Sequence, residues 1–262
     1  MRCRLAQLMS LWLGLLMSAE GATVRCPAHS QGHLAVIIDD LGYNLERAAH
    51  AASIPAPLTL AIIPGTPHAT AVAALGSQHG KELMVHMPMA SASRAVSDPM
   101  VLEAHSSRDQ MRIQIREALQ SVPGATGMNN HMGSALTADR NAMDALMSEL
   151  ASLDLYFIDS RTTGDTVAQA AAQDWGVPSA SRSVFLDNEQ TPDAIKTQLH
   201  KAVSLALSEG YAIAIGHPHT ETMAVLNSLL PRLPSEVTVV TASQVAHCQI
   251  AQSRTSTPRS AK

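Results

Sequence analysis

The sequence predicts a single α/β domain in which seven or eight parallel strands form a distorted (β/α) barrel. From His33 onward, short apolar runs alternate with longer amphipathic stretches. The apolar runs are hydrophobic throughout, which is typical of strands that are covered by helices on both faces. No linker or change of composition divides the 262 residues into two domains. A doubly wound open sheet is the alternative arrangement of the same elements.

Strands and helices alternate regularly along the chain. Apolar runs predict eight strands, at residues 34–38, 58–63, 83–85, 125–129, 155–158, 184–186, 211–215 and 237–240. Amphipathic stretches predict a helix that begins at Ser107 and others at residues 44–52, 67–79, 139–150, 166–175, 191–210, 220–230 and 243–250. Thr191 followed by Pro192 is typical of a helix start, and Gly210 of a helix end.

The two ends of the chain lie outside the predicted domain, which spans residues 30–250. Residues 1–22 have the layout of a secretory signal peptide, with Arg2 and Arg4 before an apolar run and small residues after it. The run is shorter than the roughly 20 residues that cross a bilayer, and an uncleaved signal anchor is the alternative. We therefore predict export to the periplasm. The polar, basic residues 251–262 predict a disordered tail.

Cysteine usage is compatible with export. Of the three cysteines, Cys3 leaves with the predicted signal peptide, so Cys26 and Cys248 remain near the two ends of the mature chain. In an oxidising compartment these two thiols can form a disulfide, and two unrelated buried thiols are the alternative. Neither cysteine lies in a zinc-binding spacing, so we predict a structural role for both.

Charge and composition limit the possible partners. The formal net charge of -4 provides no basic surface for nucleic acid or for an anionic membrane. After the signal peptide, no apolar stretch is long enough to span a bilayer, so the mature chain is predicted to lack a membrane span. Aromatic residues make up only 3% of the chain, which favours a short or modified carbohydrate over a long glycan. The sequence makes no prediction of oligomeric state.

Ionisable residues are concentrated where the predicted strands end. Eight of them lie there: Asp39, Asp40, His86, His131, Asp159, Asp187, His217 and His219. The carboxyl ends of parallel strands gather on one face, where side chains from different strands meet. A single histidine at a strand end is usually a hydrogen-bonded structural residue. The convergence of four histidines with several aspartates favours a functional site.

The residue types favour a metal site. Two imidazoles and one carboxylate are a typical ligand set of catalytic zinc, so we predict that Asp40, His86 and His131 bind a divalent metal, with zinc the expected ion. Asp39 is the expected general base and His217 the expected general acid. Further residues are predicted to contact substrate or to support the ligands: Tyr43, Asn130, Asp159, Asp187 and His219.

The prediction for Asp39 and Asp40 has a geometric condition. Neighbouring residues of a strand point to opposite faces. The two aspartates can therefore share a site only if the strand begins to turn where they lie. Gly42, two residues further on, supports such a turn.

Four segments resemble motifs of the divergent polysaccharide deacetylases, in the family's order between residues 33 and 243. They are Ile37-Ile38-Asp39-Asp40-Leu41-Gly42, Val85-His86-Met87-Pro88-Met89, Asn129-Asn130-His131-Met132-Gly133-Ser134 and Ile215-Gly216-His217-Pro218-His219. The resemblance implies an exported (β/α) barrel with a divalent metal. It also implies a base at Asp39, a metal ligand at Asp40 and an acid at His217.

The chain departs from the pattern of the better-studied carbohydrate deacetylases. The second ligand of their His-Ser/Thr-x-x-His motif would fall at Ala90, and we take His131 as its substitute. Gly42 comes one residue later than the glycine of their Asp-Asp-Gly. A changed ligand set can mean a changed metal, a changed substrate or lost activity, so the resemblance supports the fold more strongly than the function.

The residues support two function hypotheses. The first is metal-dependent hydrolysis of an amide, removing an acetyl group from an amino-sugar-containing carbohydrate. The alternative is a non-catalytic envelope protein that binds a glycan or a protein partner on the same fold. Asp39 beside a complete ligand set favours the first, because binding alone needs no base. Ester or phosphate hydrolysis ranks third, since Arg161 and Arg182 are the only cations near predicted strand ends.

Overall fold

The computed structural model of the chain describes residues 32–93 and 96–256. Its strands are β1 (Gly32–Leu41), β2 (Thr59–Ile62), β3 (Glu82–Met89), β4 (Gly127–Met132), β5 (Tyr156–Asp159), β6 (Ser179–Ser181), β7 (Val184–Phe185), β8 (Tyr211–Gly216) and β9 (Val237–Val240). Its helices are α1 (Leu45–Ser53), α2 (Ala69–Gln78), α3 (Arg108–Ser121), α4 (Arg140–Ser152), α5 (Ala168–Trp175), α6 (Pro192–Glu209), α7 (Thr220–Leu229) and α8 (Ala242–Ser256), with a 3-10 turn at Leu230–Arg232. The predicted signal peptide, Cys26 and residues 257–262 lie outside the described residues.

These strands form one curled parallel sheet in the order β6-β5-β4-β3-β2-β1-β8-β7, with β9 paired to β1. Only two residues separate β6 from β7, and their backbone groups bond to both ends of the sheet. The N–H of Arg182 donates to the Asp159 carbonyl at 2.9 Å, and the N–H of Ser183 donates to the Ile213 carbonyl at 2.8 Å. This segment therefore bridges β5 and β8 and brings the sheet round into the predicted distorted barrel.

Strand β9 accounts for part of the distortion. On one edge, β1 pairs with β8 along residues 33–38. On its other edge, β1 pairs with β9 over residues 32–35 and with β2 only from residue 37 onward. Strand β9 thus fills the place that β2 leaves at the amino end of β1.

Strand β6 has no counterpart among the predicted strands. Its three residues are small and two are serines, so no apolar run marks it. It forms because its backbone pairs with β5. Strand β4 also begins later than predicted and runs to Met132, which places His131 inside the strand.

The helices cover the outer face of the sheet, and capping residues determine where several begin. Ser107 accepts a bond from the N–H of Gln110, whose side chain bonds back to the Ser107 backbone. Three other helices, α1, α4 and α6, begin directly after Asn44, Asp139 and Thr191, whose side-chain oxygens accept a backbone N–H of the first turn. Helices and outer strand faces share one continuous buried apolar core.

Helix α8 closes the barrel at the amino ends of the strands. Oε2 of Glu82 accepts hydrogen bonds from the hydroxyls of Thr59 (2.7 Å) and Tyr156 (2.9 Å) and from the N–H of Ser243 (3.2 Å). Thr59 in turn accepts from the N–H of Ala242 at 3.0 Å. A carboxylate at a helix N-terminus is also favoured by the helix dipole. The interior of the barrel is filled by a second apolar cluster: Ala35, Ile37, Ala61, Met84, Tyr156, Ile158, Ala180, Ile213, Ile215, Val240, Ala242, Val245 and Ala246.

Three observations concern the predicted ends and the membrane. Among the described residues, no helix combines the length and the apolarity that a bilayer crossing requires. Cys248 in α8 is disulfide-bonded, and its pairing with Cys26 stays a prediction because Cys26 lies outside the described residues. Helix α8 continues to Ser256, into the segment predicted as a disordered tail.

Candidate metal centre and catalytic site

Asp39 and Asp40 reach one site because β1 changes direction at its carboxyl end. Asp40 has a φ of 58°, in the left-handed region that few residues other than glycine adopt. The register between β1 and β2 shifts at the same place. The turn that the two aspartates require therefore begins at Asp40 itself. Gly42 continues it with a φ of 122°, and a Cβ there would lie 2.1 Å from Oγ1 of Thr66.

Asp40, His86 and His131 form a compact group of ligand-type atoms. Oδ1 of Asp40 lies 3.1 Å from Nε2 of His86 and 3.0 Å from Nδ1 of His131, and the two nitrogens are 3.0 Å apart. The two ring planes are inclined by 76°. Burial opposes ionisation of Asp40, but its close contacts with the imidazoles of His131 and His86 outweigh it and lower the pKa of Asp40. The structure thus brings the three predicted ligands together, with Asp40 as a carboxylate.

Hydrogen bonds behind His86 determine which of its nitrogens faces this group. Nδ2 of Asn129 donates to Oδ1 of Asp39 at 2.8 Å. The amide oxygen of Asn129 is left for Nδ1 of His86, 2.7 Å away. An amide oxygen only accepts hydrogen bonds, so Nδ1 of His86 carries the proton. In the neutral ring, Nε2 of His86 then presents a lone pair toward Asp40 and His131.

The donor set fits a divalent metal. Nε2 of His131 lies 3.2 Å from Oδ2 of Asp98, and a proton on Nε2 leaves the Nδ1 lone pair of the neutral ring facing Asp40. Two nitrogen lone pairs and a carboxylate oxygen at 3.0–3.1 Å repel one another unless a proton or a metal cation lies among them. With zinc bond lengths of about 2.0–2.2 Å, tetrahedral ligand atoms lie about 3.3–3.6 Å apart, a few tenths of an ångström more than these separations. The partners behind both imidazoles also match the outer hydrogen bonds of metal-bound histidines.

Asp39 is the buried carboxylate of the pair. It is 2% exposed, and among the described residues Asn129 is its one hydrogen-bond donor. Its Oδ1 lies 3.7 Å from Nδ1 of His86. Burial raises the pKa of Asp39, and the charges of His86 and His217 offset only part of that effect. A carboxylate with a raised pKa beside the ligand group is suited to accept a proton.

His217 follows β8 and is held by Asp187. Nδ1 of His217 lies 2.8 Å from Oδ1 of Asp187, whose Oδ2 accepts from the His217 backbone N–H at 2.6 Å and from the Thr222 hydroxyl at 2.8 Å. Nε2 of His217 is left 3.9 Å from Oδ2 of Asp40. Burial disfavours a charged ring, but the bond to Asp187 and the charges of Asp39, Asp187 and Asp40 outweigh it and raise the pKa of His217 to about 9.

Tyr43 and His219 line a cavity of about 220 Å³ beside this group. Asp40, Arg47 and His217 form other parts of its wall. A larger cavity of about 430 Å³ lies between β7 and α6, but the clustered ionisable groups do not line it. The smaller cavity is therefore the candidate substrate site.

Asn130 and Asp159 do not join the site. Asn130 donates to the Met132 carbonyl and accepts from the Ser160 N–H, while Asp159 accepts from the N–H of Arg161 and from a threonine hydroxyl. Both side chains therefore anchor loops. For Asn130 the reason is strand alternation, since Asn129 and His131 share the face toward the site and the residue between them faces away.

Two residues of the site, Asn129 and Asp98, are absent from the sequence prediction. The period of two residues along β4 is a signal for Asn129, because it places this residue on the face of His131. Asp98 lies in the loop between β3 and α3, where no motif or periodicity distinguishes it from its neighbours. Its oxygens contact Nε2 of His131 and the hydroxyl of Tyr43 at 3.2 and 2.7 Å.

The fold and site define an α/β-barrel protein with a histidine–carboxylate cluster at the carboxyl ends of its strands. The chain belongs to the divergent polysaccharide deacetylase family, whose model matches residues 36–246. It is similar to the uncharacterized protein YibQ of Escherichia coli K12, with 39% identity over 214 residues that cover 82% of this chain and 67% of YibQ.

Solved structures share the fold at low sequence identity. The crystal structure of the uncharacterized protein ATU2773 from Agrobacterium tumefaciens C58 superposes with a TM-score of 0.77 at 18% identity, covering 81% of this chain and 88% of that one. A mutant of BA3943, described as a CE4 family pseudoenzyme with restored enzymatic activity, superposes with a TM-score of 0.53 at 13% identity, covering 84% and 69%.

Proposed function

We propose that the protein is a metal-dependent hydrolase that removes an acetyl group from the nitrogen of an amino-sugar-containing carbohydrate. The observation that carries this proposal is the arrangement around Asp40. Its carboxylate and two imidazole nitrogens form a triangle of ligand atoms 3.0–3.1 Å apart. A buried carboxylate, Asp39, lies on one side of this triangle, and an imidazole of raised pKa, His217, is near it.

The residues around the triangle divide the chemistry of amide hydrolysis. A zinc-type ion held by Asp40, His86 and His131 would supply polarisation of the acetyl carbonyl and acidification of a water molecule. Asp39 accepts the proton of the attacking water, because its raised pKa brings it closer to neutral pH. His217 delivers a proton from Nε2 to the leaving amine, since Asp187 holds Nδ1 and the pKa of about 9 keeps the ring protonated at neutral pH.

The cavity favours a short substrate. At about 220 Å³ it is smaller than the roughly 300–1,000 Å³ of ordinary ligand pockets. Tyr43, 49% exposed, offers one aromatic face at its wall. We therefore expect one acetylated sugar residue in the cavity, with any neighbouring sugars outside it.

The test is the metal content of the purified mature chain. We expect about one equivalent of zinc or a similar ion in the wild type, loss of the ion in His131→Ala, and retention in His200→Ala, a matched variant at an exposed position on α6. Acetate release is then measured with N-acetylglucosamine and short chitooligosaccharides. A wild type that stays metal-free when ions are supplied refutes the proposal.

A second candidate function is a non-catalytic envelope protein that binds a glycan or a protein partner. Two observations favour it: Ala90 occupies the usual ligand position, and one fold neighbour is itself described as a pseudoenzyme. It predicts measurable binding of chitooligosaccharides by calorimetry without acetate release, and equal binding by wild type and His217→Gln.

We also propose that residues 1–22 direct export to the periplasm and that Cys26 pairs with Cys248 there. Cell fractionation with N-terminal sequencing of the mature chain tests the first point. Peptide mapping without reduction tests the second. A cytoplasmic, uncleaved product refutes the export proposal.

A further inference from the structure

We propose that Asp98 is the positioning residue that makes His131 a metal ligand through its Nδ1 atom. This inference rests on the metal site of the proposed function. Oδ2 of Asp98 lies 3.2 Å from Nε2 of His131, on the side of the ring away from Asp40 and His86. The side chain of Asp98 is 16% exposed and that of His131 17%, so little water competes for this contact.

The charge of Asp98 influences which nitrogen of the His131 ring holds the proton. An ionised Asp98 favours a proton on Nε2 of the neutral His131 ring, whereas the carboxylate of Asp40, 3.0 Å from Nδ1, favours the other nitrogen. With the proton on Nε2, the lone pair of Nδ1 faces Oδ1 of Asp40 and Nε2 of His86 at 3.0 Å each. Without Asp98, only Asp40 acts on the proton, and the ring presents Nδ1 as a ligand for less of the time.

The loop that carries Asp98 is itself held in place. The Tyr43 hydroxyl donates to Oδ1 of Asp98 at 2.7 Å, which leaves Oδ2 for His131. Gly65 packs against Pro99, the residue after Asp98, so closely that a Cβ on Gly65 would lie 2.9 Å from Cβ of Pro99. At the end of the loop, the N–H of Leu102 donates to the Pro88 carbonyl at 2.8 Å. Asp98 therefore lies in a part of the loop, residues 98–102, that is packed against its neighbours.

The same arrangement links the cavity wall to the ligand. Tyr43 lines the candidate substrate cavity and holds Asp98, which holds His131. His86 has its own outer partner in Asn129. Each imidazole of the triangle is thus oriented by one acceptor from a different element, a strand residue for His86 and a loop residue for His131. Loss of such outer acceptors typically weakens metal affinity by about 10–100-fold.

The experiment measures zinc affinity and ring tautomer in the same variants. Asp98→Ala removes the acceptor, Asp98→Asn restores an amide oxygen in its place, and Tyr43→Phe removes the hydroxyl that orients it. Asp109→Asn is the matched control, because Asp109 is an exposed aspartate at the start of α3. Zinc affinity is measured by competition with a chromophoric chelator, and circular dichroism verifies folding. The tautomer of His131 is read from nitrogen–proton correlation spectra of the metal-free protein at mildly alkaline pH.

We expect Asp98→Ala to lose about 10–100-fold in zinc affinity, Asp98→Asn and Tyr43→Phe to lose less, and the control to equal the wild type. In the metal-free protein, the fraction of His131 rings with the proton on Nε2 should be lower in Asp98→Ala than in the wild type. Unchanged affinity and tautomer in a folded Asp98→Ala protein overturn the inference, while the metal site stands. If the wild type binds no zinc, the proposed function fails, and the tautomer alone decides the role of Asp98.

Discussion

Asp187→Asn should destabilise the protein substantially although it changes only one atom of the side chain. Asp187 is 4% exposed and accepts three hydrogen bonds, two from His217 and one from Thr222. The amide of asparagine has one accepting oxygen, so its NH₂ group must face at least one of these donors. Removing one member of a buried charged pair typically costs about 3–5 kcal/mol, and we expect about 3 kcal/mol here because one oxygen still accepts.

The assay is thermal unfolding of the purified mature chain at neutral pH. In a domain of this size, about 1 kcal/mol corresponds to about 2–4 °C in Tm, so Asp187→Asn should unfold about 6–12 °C below the wild type. Thr222→Val is the control: it removes one donor and leaves the charged pair, and should cost about 1–1.5 kcal/mol. If Asp187→Asn lies within about 0.5 kcal/mol of the wild type, as exposed substitutions do, Asp187 does not hold His217 as described.

Acid titration gives a second signature of the same residue. Burial opposes ionisation of Asp187, but the bonds and charge of His217 outweigh it, so the pKa of Asp187 is lowered. A lowered pKa in the folded state means that the stabilisation is fully present above the unfolded value of about 3.9 and is lost as the pH falls through the folded value. The wild type should therefore lose stability more steeply than Asp187→Asn below about pH 4. Parallel unfolding curves for the two proteins from about pH 6 to about pH 2 would contradict this assignment.

Three further predictions follow from single residues. His217→Gln should keep its metal, measured by atomic absorption, and lose acetate release by at least about 100-fold; normal turnover would exclude His217 as the acid. Gly42→Ala should cost about 3 kcal/mol by urea unfolding, because φ of 122° and a Cβ clash combine, whereas Gly80→Ala, with φ of 65° in open space, should cost about 1 kcal/mol; equal losses would mean that the clash relaxes freely. Glu82→Gln should cost about 2 kcal/mol and speed amide exchange in α8, since a carboxylate that accepts three bonds becomes a neutral amide; unchanged exchange would separate Glu82 from the placement of α8.

The barrel could be predicted because its central strands are apolar on both faces. Strand β1 is a continuous buried run, and eight such runs separated by helices leave few arrangements. Strand β6, which takes part in the closure, could not be predicted, because it has only small residues and joins the sheet through backbone bonds. The insertion of α8 into the amino end was also hidden from the sequence. It depends on a bond between Ser243 and Glu82, which lies at the start of a strand 161 residues earlier.

The site was predictable where position along a strand carries the information. His86 and His217 lie at the carboxyl ends of predicted strands, and the fold brings them near Asp40. Asp98 had no such signal, because a loop residue is placed by tertiary packing. Asn130 shows the reverse error. It lies in a distinctive segment, but its side chain points away from the site because alternation along β4 gives that face to its neighbours.

That alternation also explains how a chain with alanine at position 90 can still assemble two imidazoles. His86 pairs with Asn129 across β3 and β4, and His131 comes two residues further along the same face of β4. One strand therefore supplies both the acceptor behind the first imidazole and the second imidazole itself. In contrast, the carbonyl of Ala90 accepts hydrogen bonds from the N–H groups of Ala135 and Leu136. Under the proposed function, His131 supplies from β4 the ligand that position 90 lacks, and Asp98 from the loop is the outer partner of its ring at 3.2 Å.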